Sequence, residues 1–156
     1  MLRGGWGIAA VLLLLPAPAV AEVSDRTPFV EICDRFAAAI NAGDTRAYED
    51  VVAQDYLDAD SQTREGHLRI IEMMAGQGAR LSFSNLQATE EPRGVVHLSA
   101  AYVLEGEEGV PRITGTWEGR CRYGQGAGFA AETRWALFWS KTTPDRVVPP
   151  VSGETP

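Results

Sequence analysis

The densest acid group in this 156-residue chain is Asp55-Tyr56-Leu57-Asp58-Ala59-Asp60. A carboxylate at the mouth of a pocket can take a proton from carbon next to a carbonyl. The same residue type, just ahead of a helix, caps backbone N–H groups. Both uses are open to Asp58 and Asp60. The two imidazoles are His67 and His97, the side chains whose charge changes nearest neutral pH. His97 falls in an extended run, on the parity of Val95, Ser99 and Ala101, and is either an acid/base partner for a pocket carboxylate or a surface residue. His67 opens a helical stretch and is expected to be exposed. Together with Asp58 and Asp60 the imidazoles could ligate a metal, but their spacing fits no established ligand pattern. No metal or cofactor is expected.

Cys33 and Cys121 lie 88 positions apart. In an oxidising compartment such a pair is a disulfide candidate, worth about 4 kcal/mol in the chain-entropy model for so long a loop. The alternative is two buried thiols packed as small hydrophobes. The compartment is suggested by the N-terminus. Arg3, an apolar run from Ile8 to Leu15, the break at Pro16 and the small residues of Ala19-Val20-Ala21 have the layout of a secretory signal peptide. Cleavage before Glu22 would leave a domain of 135 residues in the periplasm or medium. The apolar run is far shorter than the ~20 residues of a membrane-spanning helix, so no membrane association is expected after cleavage.

With 21 acidic residues against 14 basic ones, the chain lacks the basic face that nucleic-acid binding requires. The Gly-rich stretch Gly124-Gln125-Gly126-Ala127-Gly128 begins like a dinucleotide fingerprint, but it joins two strands and no helix follows, so it reads as a hairpin loop. No nucleophile elbow, P-loop or His-Glu-x-x-His zinc motif occurs.

The elements that would position these groups follow from periodicity. Thr27-Pro28 is a helix start, and Phe29, Ile32, Cys33, Phe36, Ala37 and Ile40 repeat at helical spacing up to Gly43. Asp44 caps a second helix whose inner face is Tyr48, Val51 and Val52. Tyr56 to Asp60 is extended, and a third helix carries Leu68, Ile71 and Met74. Residues 80–90, 94–105, 111–123 and 129–141 read as four strands divided by turn residues. In the third, Ile113, Gly115, Trp117, Gly119, Cys121 and Tyr123 share one face, and Arg112, Thr114, Thr116, Glu118, Arg120 and Arg122 the other. The fourth puts Phe129, Ala131, Trp135, Leu137 and Trp139 on one face. Residues 142–156, with Pro144, Pro149, Pro150 and Pro156, read as a disordered tail. The class is α+β: three N-terminal helices on a curved antiparallel sheet.

The stretch Phe36-Ala37-Ala38-Ala39-Ile40-Asn41-Ala42-Gly43-Asp44, with Tyr48, Tyr56, Asp60 and Gly66 following, resembles the opening of the nuclear transport factor 2-like superfamily, which includes SnoaL-like cyclases and ketosteroid isomerase. The resemblance covers about residues 28–141 and implies a cone-shaped, cystatin-like roll with a pocket between sheet and helices. It places Phe36, Tyr48, Tyr56, Trp117 and Trp135 around that pocket. It puts Asp60 where the isomerases hold their general base, and His97 where dehydratases could use an acid/base partner. The isomerase oxyanion donors fall on Phe36 and near Thr116 or Trp117, so ketosteroid isomerisation is disfavoured. The expected function is an exported domain binding a small apolar molecule. The alternatives are a lyase, isomerase or cyclase using Asp60 with His97, and a homodimeric interaction domain joined through the polar sheet face.

Overall fold

The computed structural model describes residues 21–107, 111–125 and 133–149. The signal-like segment up to Val20, the loop from Gly126 to Gly128, Phe129, Ala131 and the last residues from Pro150 lie outside them.

The elements run β1 (Ala21–Glu22), α1 (Thr27–Ala42), α2 (Thr45–Val51), β2 (Val52–Asp58), α3 (Arg64–Gly76), β3 (Arg80–Glu91), β4 (Val95–Glu105), β5 (Arg112–Gln125) and β6 (Thr133–Val148). The class is α+β, as the periodicity predicts. Among the described residues the sheet has six strands in the order β1-β3-β4-β5-β6-β2. It is mixed rather than purely antiparallel, because β2 joins β6 in parallel. Sequence periodicity assigned β2 no partner: its pairing residues lie far along the chain, in β6.

α1 buries its apolar stripe, Phe29, Ile32, Cys33, Phe36, Ala37 and Ile40. Gly43, at φ 64°, ends it in the left-handed conformation and donates its N–H to the carbonyls of Ala39 and Ile40. A Cβ there would also stand 2.8 Å from that of Ala75, so this corner seats α3. Asp44 caps α2 by accepting the Ala47 N–H at 2.9 Å. The Asn41 side chain bonds both backbone groups of Leu81, donating at 2.9 Å and accepting at 2.6 Å. It thus fastens α1 to the start of β3. Asn85, at φ 55°, sits in a register break of β3 between Ser84 and Gln87. Such a bulge bends the strand and curls the sheet around α1.

The concave face carries Val96, Leu98, Ala100 and Tyr102 of β4 with Trp117 and Cys121 of β5, all buried. The opposite face of β5 is the polar row from Arg112 to Arg122. A second register break, between Arg120 and Cys121, sets Trp139 opposite Arg120 and Leu137 opposite Cys121. Trp139 therefore departs from the face expected of it. It leaves Leu137 in the core and lies under the Arg120 guanidinium, 5.0 Å from the ring centroid.

Residues 142–148, expected to begin a disordered tail, continue β6 to Val148. The β-branched Thr142, Thr143, Val147 and Val148 suit a strand. Pro144 is tolerated because β2 pairs with β6 only as far as Ser140. Opposite it stands Gly115, where a Cβ would fall 2.2 Å from the Thr143 carbonyl oxygen.

Candidate functional site

The site is built from the five residues after Asp58. One carboxylate oxygen, Oδ1, accepts the N–H groups of Asp60 at 2.9 Å and Gln62 at 2.7 Å. The Asp58 N–H donates to the Gln62 carbonyl at 3.0 Å. Ser61, at φ 63°, makes the reversal that closes the loop. Thr63 then caps α3, accepting the Gly66 N–H at 3.4 Å. The loop so wrapped leaves Oδ2 of Asp58 facing the first turn of α3, where His67 Nε2 meets it at 2.8 Å.

Burial raises the Asp58 pKa, but the hydrogen bonds from His67, Gln62 and Asp60, with the attraction of His67, outweigh it and hold the carboxyl below its ordinary value. An ionised carboxylate only accepts, so Nε2 carries a proton, and in the tautomer with that one proton Nδ1 is bare. Nδ1 is then an acceptor, and the Tyr48 hydroxyl donates to it at 3.0 Å. Burial first, then Tyr56 and the Asp58 charge, push the Tyr48 phenol far above its usual range, so it stays a donor. Tyr56 stands edge-on to the imidazole, with ring centroids 5.1 Å apart. Its hydroxyl lies 2.6 Å from Ser140 Oγ on β6, and burial raises its pKa to about 12.

His67 and Ser140 form the polar wall of a cavity of about 350 Å³ between α1, α3 and the concave sheet. The rest is mostly apolar, with Phe36, Ile71, Met74, Leu81 and Trp117 inside and Leu104, Ile113, Pro144 and Val147 toward the mouth; Tyr102 and Thr142 add two further hydroxyl side chains. The volume is at the small end for ligand pockets, enough for a molecule of one or two rings. Among the described residues, no Arg, Lys, Asp or Glu lines it, and no group of three metal-ligating side chains occurs.

Solved structures share this fold. An NTF2-like protein from Cytophaga hutchinsonii matches with a TM-score of 0.58 at 14% identity, over 78% of this chain and 99% of that one. This chain has the nuclear transport factor 2-like fold. Hexachlorocyclohexane dehydrochlorinase LinA-type3 from Novosphingobium barchaimii matches with a TM-score of 0.65 at 9% identity, over 81% of this chain and 90% of that one. A protein of unknown function with a cystatin-like fold from Nostoc punctiforme matches with a TM-score of 0.62 at 16% identity, over 80% and 94%. No family model matches the chain, and no curated protein matches it. At such identities the likeness is one of fold, and chemistry has to be argued from the side chains.

Within the nuclear transport factor 2-like cone, the residues singled out by sequence fall in three places. Phe36 and Trp117 line the cavity. Tyr48 and Tyr56 stand one layer behind its polar wall, Tyr48 bonded to His67 and Tyr56 to Ser140. Trp135 packs edge-on against Phe29, 5.0 Å between centroids, at a separate depression lined by Pro28, Arg35 and Tyr123. Asp60 is exposed, because the loop binds its backbone N–H to Asp58 and leaves its side chain in solvent. His97 is on the convex face, 3.5 Å from Glu118. The sheet therefore separates His97 from the cavity, and the structure does not bring it together with Asp60. Cys33 and Cys121 are both buried in the core as free thiols. The imidazole at the cavity is His67, expected to be exposed. The one signal for it was the Asp-to-His separation across a helix cap, which lets an Asp before the helix reach the first turn.

Proposed function

We propose that this chain binds a small, mostly apolar, uncharged molecule in the cavity between α1, α3 and the sheet. The observation that supports it is a predominantly apolar lining that carries few polar side chains, His67, Ser140, Tyr102 and Thr142, and no charged Arg, Lys, Asp or Glu among the described residues, the arrangement of sites that take an apolar body and orient it by a few polar groups. A charged ligand would be buried there without a partner at high cost. The test is calorimetric titration with a one- or two-ring apolar solute, on wild type and on Leu104→Arg, a substitution at the half-buried cavity rim. Saturable 1:1 binding that the Arg abolishes is expected. Binding of equal strength in the blocked variant would place the ligand elsewhere.

One observation favours a second reading, proton transfer in the manner of a lyase or isomerase: Asp58 grips an imidazole in the cavity wall at 2.8 Å. An ionised carboxylate on one ring nitrogen makes the other more basic. Here that nitrogen already accepts from Tyr48, so the ring takes a substrate proton only by exchanging this bond. Exchange of α-protons of a bound ketone with deuterated solvent reads it out. Loss of exchange in His67→Gln with binding retained supports the reading, and no exchange in wild type removes it.

A further inference from the structure

The hydrogen-bond bookkeeping along the polar wall says which kind of group a ligand presents there, an inference that rests on the cavity being a binding site. His67 is spoken for at both nitrogens, Nε2–H by Asp58 and Nδ1 by the Tyr48 hydroxyl. The ring offers a ligand neither a free N–H nor a lone pair. Ser140 is different. It is 5% exposed, it lines the cavity, and its Oγ has one close partner, the Tyr56 hydroxyl at 2.6 Å. A phenol is a stronger hydrogen-bond donor than an alkyl alcohol, and burial keeps this one protonated. Tyr56 therefore donates to Ser140. The backbone carbonyl of Ser140 is taken by the Ala59 N–H at 2.9 Å. Among the described residues the Ser140 hydroxyl hydrogen has no acceptor, and the cavity lies beside it; a buried donor left unmatched is costly.

We propose that Ser140 is a specificity-determining residue that donates into the cavity, and that the ligand is an uncharged molecule carrying a carbonyl-type acceptor at its buried end. The direction of the Tyr56–Ser140 bond sets this preference: the phenol occupies a lone pair of Oγ and releases its hydrogen. Ketones, esters and lactones fit, whereas a molecule whose buried polar group must donate competes with Tyr56.

Three probes of nearly equal shape test this: acetophenone, 1-phenylethanol, and α-methylstyrene, which replaces the carbonyl oxygen by a methylene. Their affinities are measured by calorimetry on wild type, Ser140→Ala and Tyr56→Phe. In Ser140→Ala, acetophenone should weaken about three- to tenfold, the worth of one hydrogen bond, while α-methylstyrene is unchanged. In Tyr56→Phe the lone pair of Ser140 is freed, so 1-phenylethanol should gain relative to acetophenone. That arm decides the matter alone if Ser140→Ala does not fold. Equal losses for acetophenone and α-methylstyrene, no loss for either, or a loss confined to 1-phenylethanol would overturn the assignment of Ser140 as donor. Failure of all three probes to bind wild type would instead overturn the binding-site reading beneath it.

Discussion

Replacing Gly119 by Ala tests whether the cavity wall is as tightly seated as the packing indicates. A methyl at this position would lie 2.4 Å from Cη2 of Trp117, and 2.9 Å from both Trp117 Cζ2 and Leu137 Cδ1. Trp117 is 2% exposed and Leu137 fully buried. The indole is hemmed in by Phe83 at 4.9 Å and Phe36 at 6.0 Å between centroids, so it has no free direction except into the cavity. Overpacking of this kind costs about 3 kcal/mol at the upper end. Removing a glycine from a strand interior returns about 0.5–1 kcal/mol. The net is a destabilisation of about 2 kcal/mol. With a urea slope of about 2 kcal/mol per molar for a domain this size, the unfolding midpoint should fall by about 1 M with the slope unchanged. In a Trp117→Leu background the same substitution should cost at least about 1 kcal/mol less, since contacting pairs couple by that order. Midpoints that move by less than about 0.3 M, or costs equal in the two backgrounds, would show that Trp117 does not rest on Gly119 and that the wall is loosely packed.

Asp58 should govern acid stability. Its folded pKa is held below the unfolded value of about 3.9, so its contribution is present above that pH and is lost as pH falls through the folded value. Asp58→Asn should be less stable than wild type by about 1–2 kcal/mol at pH 7, with the gap closing toward pH 2–3; a gap independent of pH would refute the ionised-acceptor role. Cys33 and Cys121 should not react with a thiol reagent in the folded protein, since burial, with Asp34 adding to it, raises the Cys33 thiol to about 12, and burial raises Cys121 as well. Two thiols should appear on denaturation without reductant, and none would mean a bridge. Intact mass of protein recovered from periplasm or medium should begin at Glu22, and a full-length species confined to the cytoplasm would refute export.

The helices and strand faces were legible because burial imposes a period. The stripe from Phe29 to Ile40, the left-handed Gly43, the Asp44 cap and the inward parity of Trp117 and Cys121 all follow from local spacing. The first helix does start at Thr27, but as its first turn rather than its cap, which is Arg26 without a side-chain bond. What spacing could not convey is where the chain breaks its own period. The bulge that turns Trp139 outward, the left-handed Ser61 that closes the loop onto Asp58, and the parallel pairing of β2 are set by tertiary contacts. The functional reading turned on one of these. Asp58 and Asp60 share a parity, and only the loop's backbone bonds give Asp58 to His67 and Asp60 to solvent. His67 itself lies on a helix whose sole fully buried residue is Ile71, too sparse a stripe to show that its first turn faces inward.

The parallel seam between β2 and β6 has a kinetic consequence. Tyr56 and Ser140 meet across it although 84 positions separate them in the chain, so the polar wall closes only once the last strand has formed. Until then α1 and α2 have only β1, β3, β4 and β5 to cover their apolar stripes, and β2 is an unpaired strand open to other chains. Contacts of such long range slow folding, because loop entropy is lost before the contact repays it. A chain emerging N-terminus first from a ribosome or a translocation pore therefore carries its aggregation-prone stretch ahead of the strand that protects it. A truncation just before Thr133 would remove β6 and so strip β2 of its partner strand and Tyr56 of Ser140.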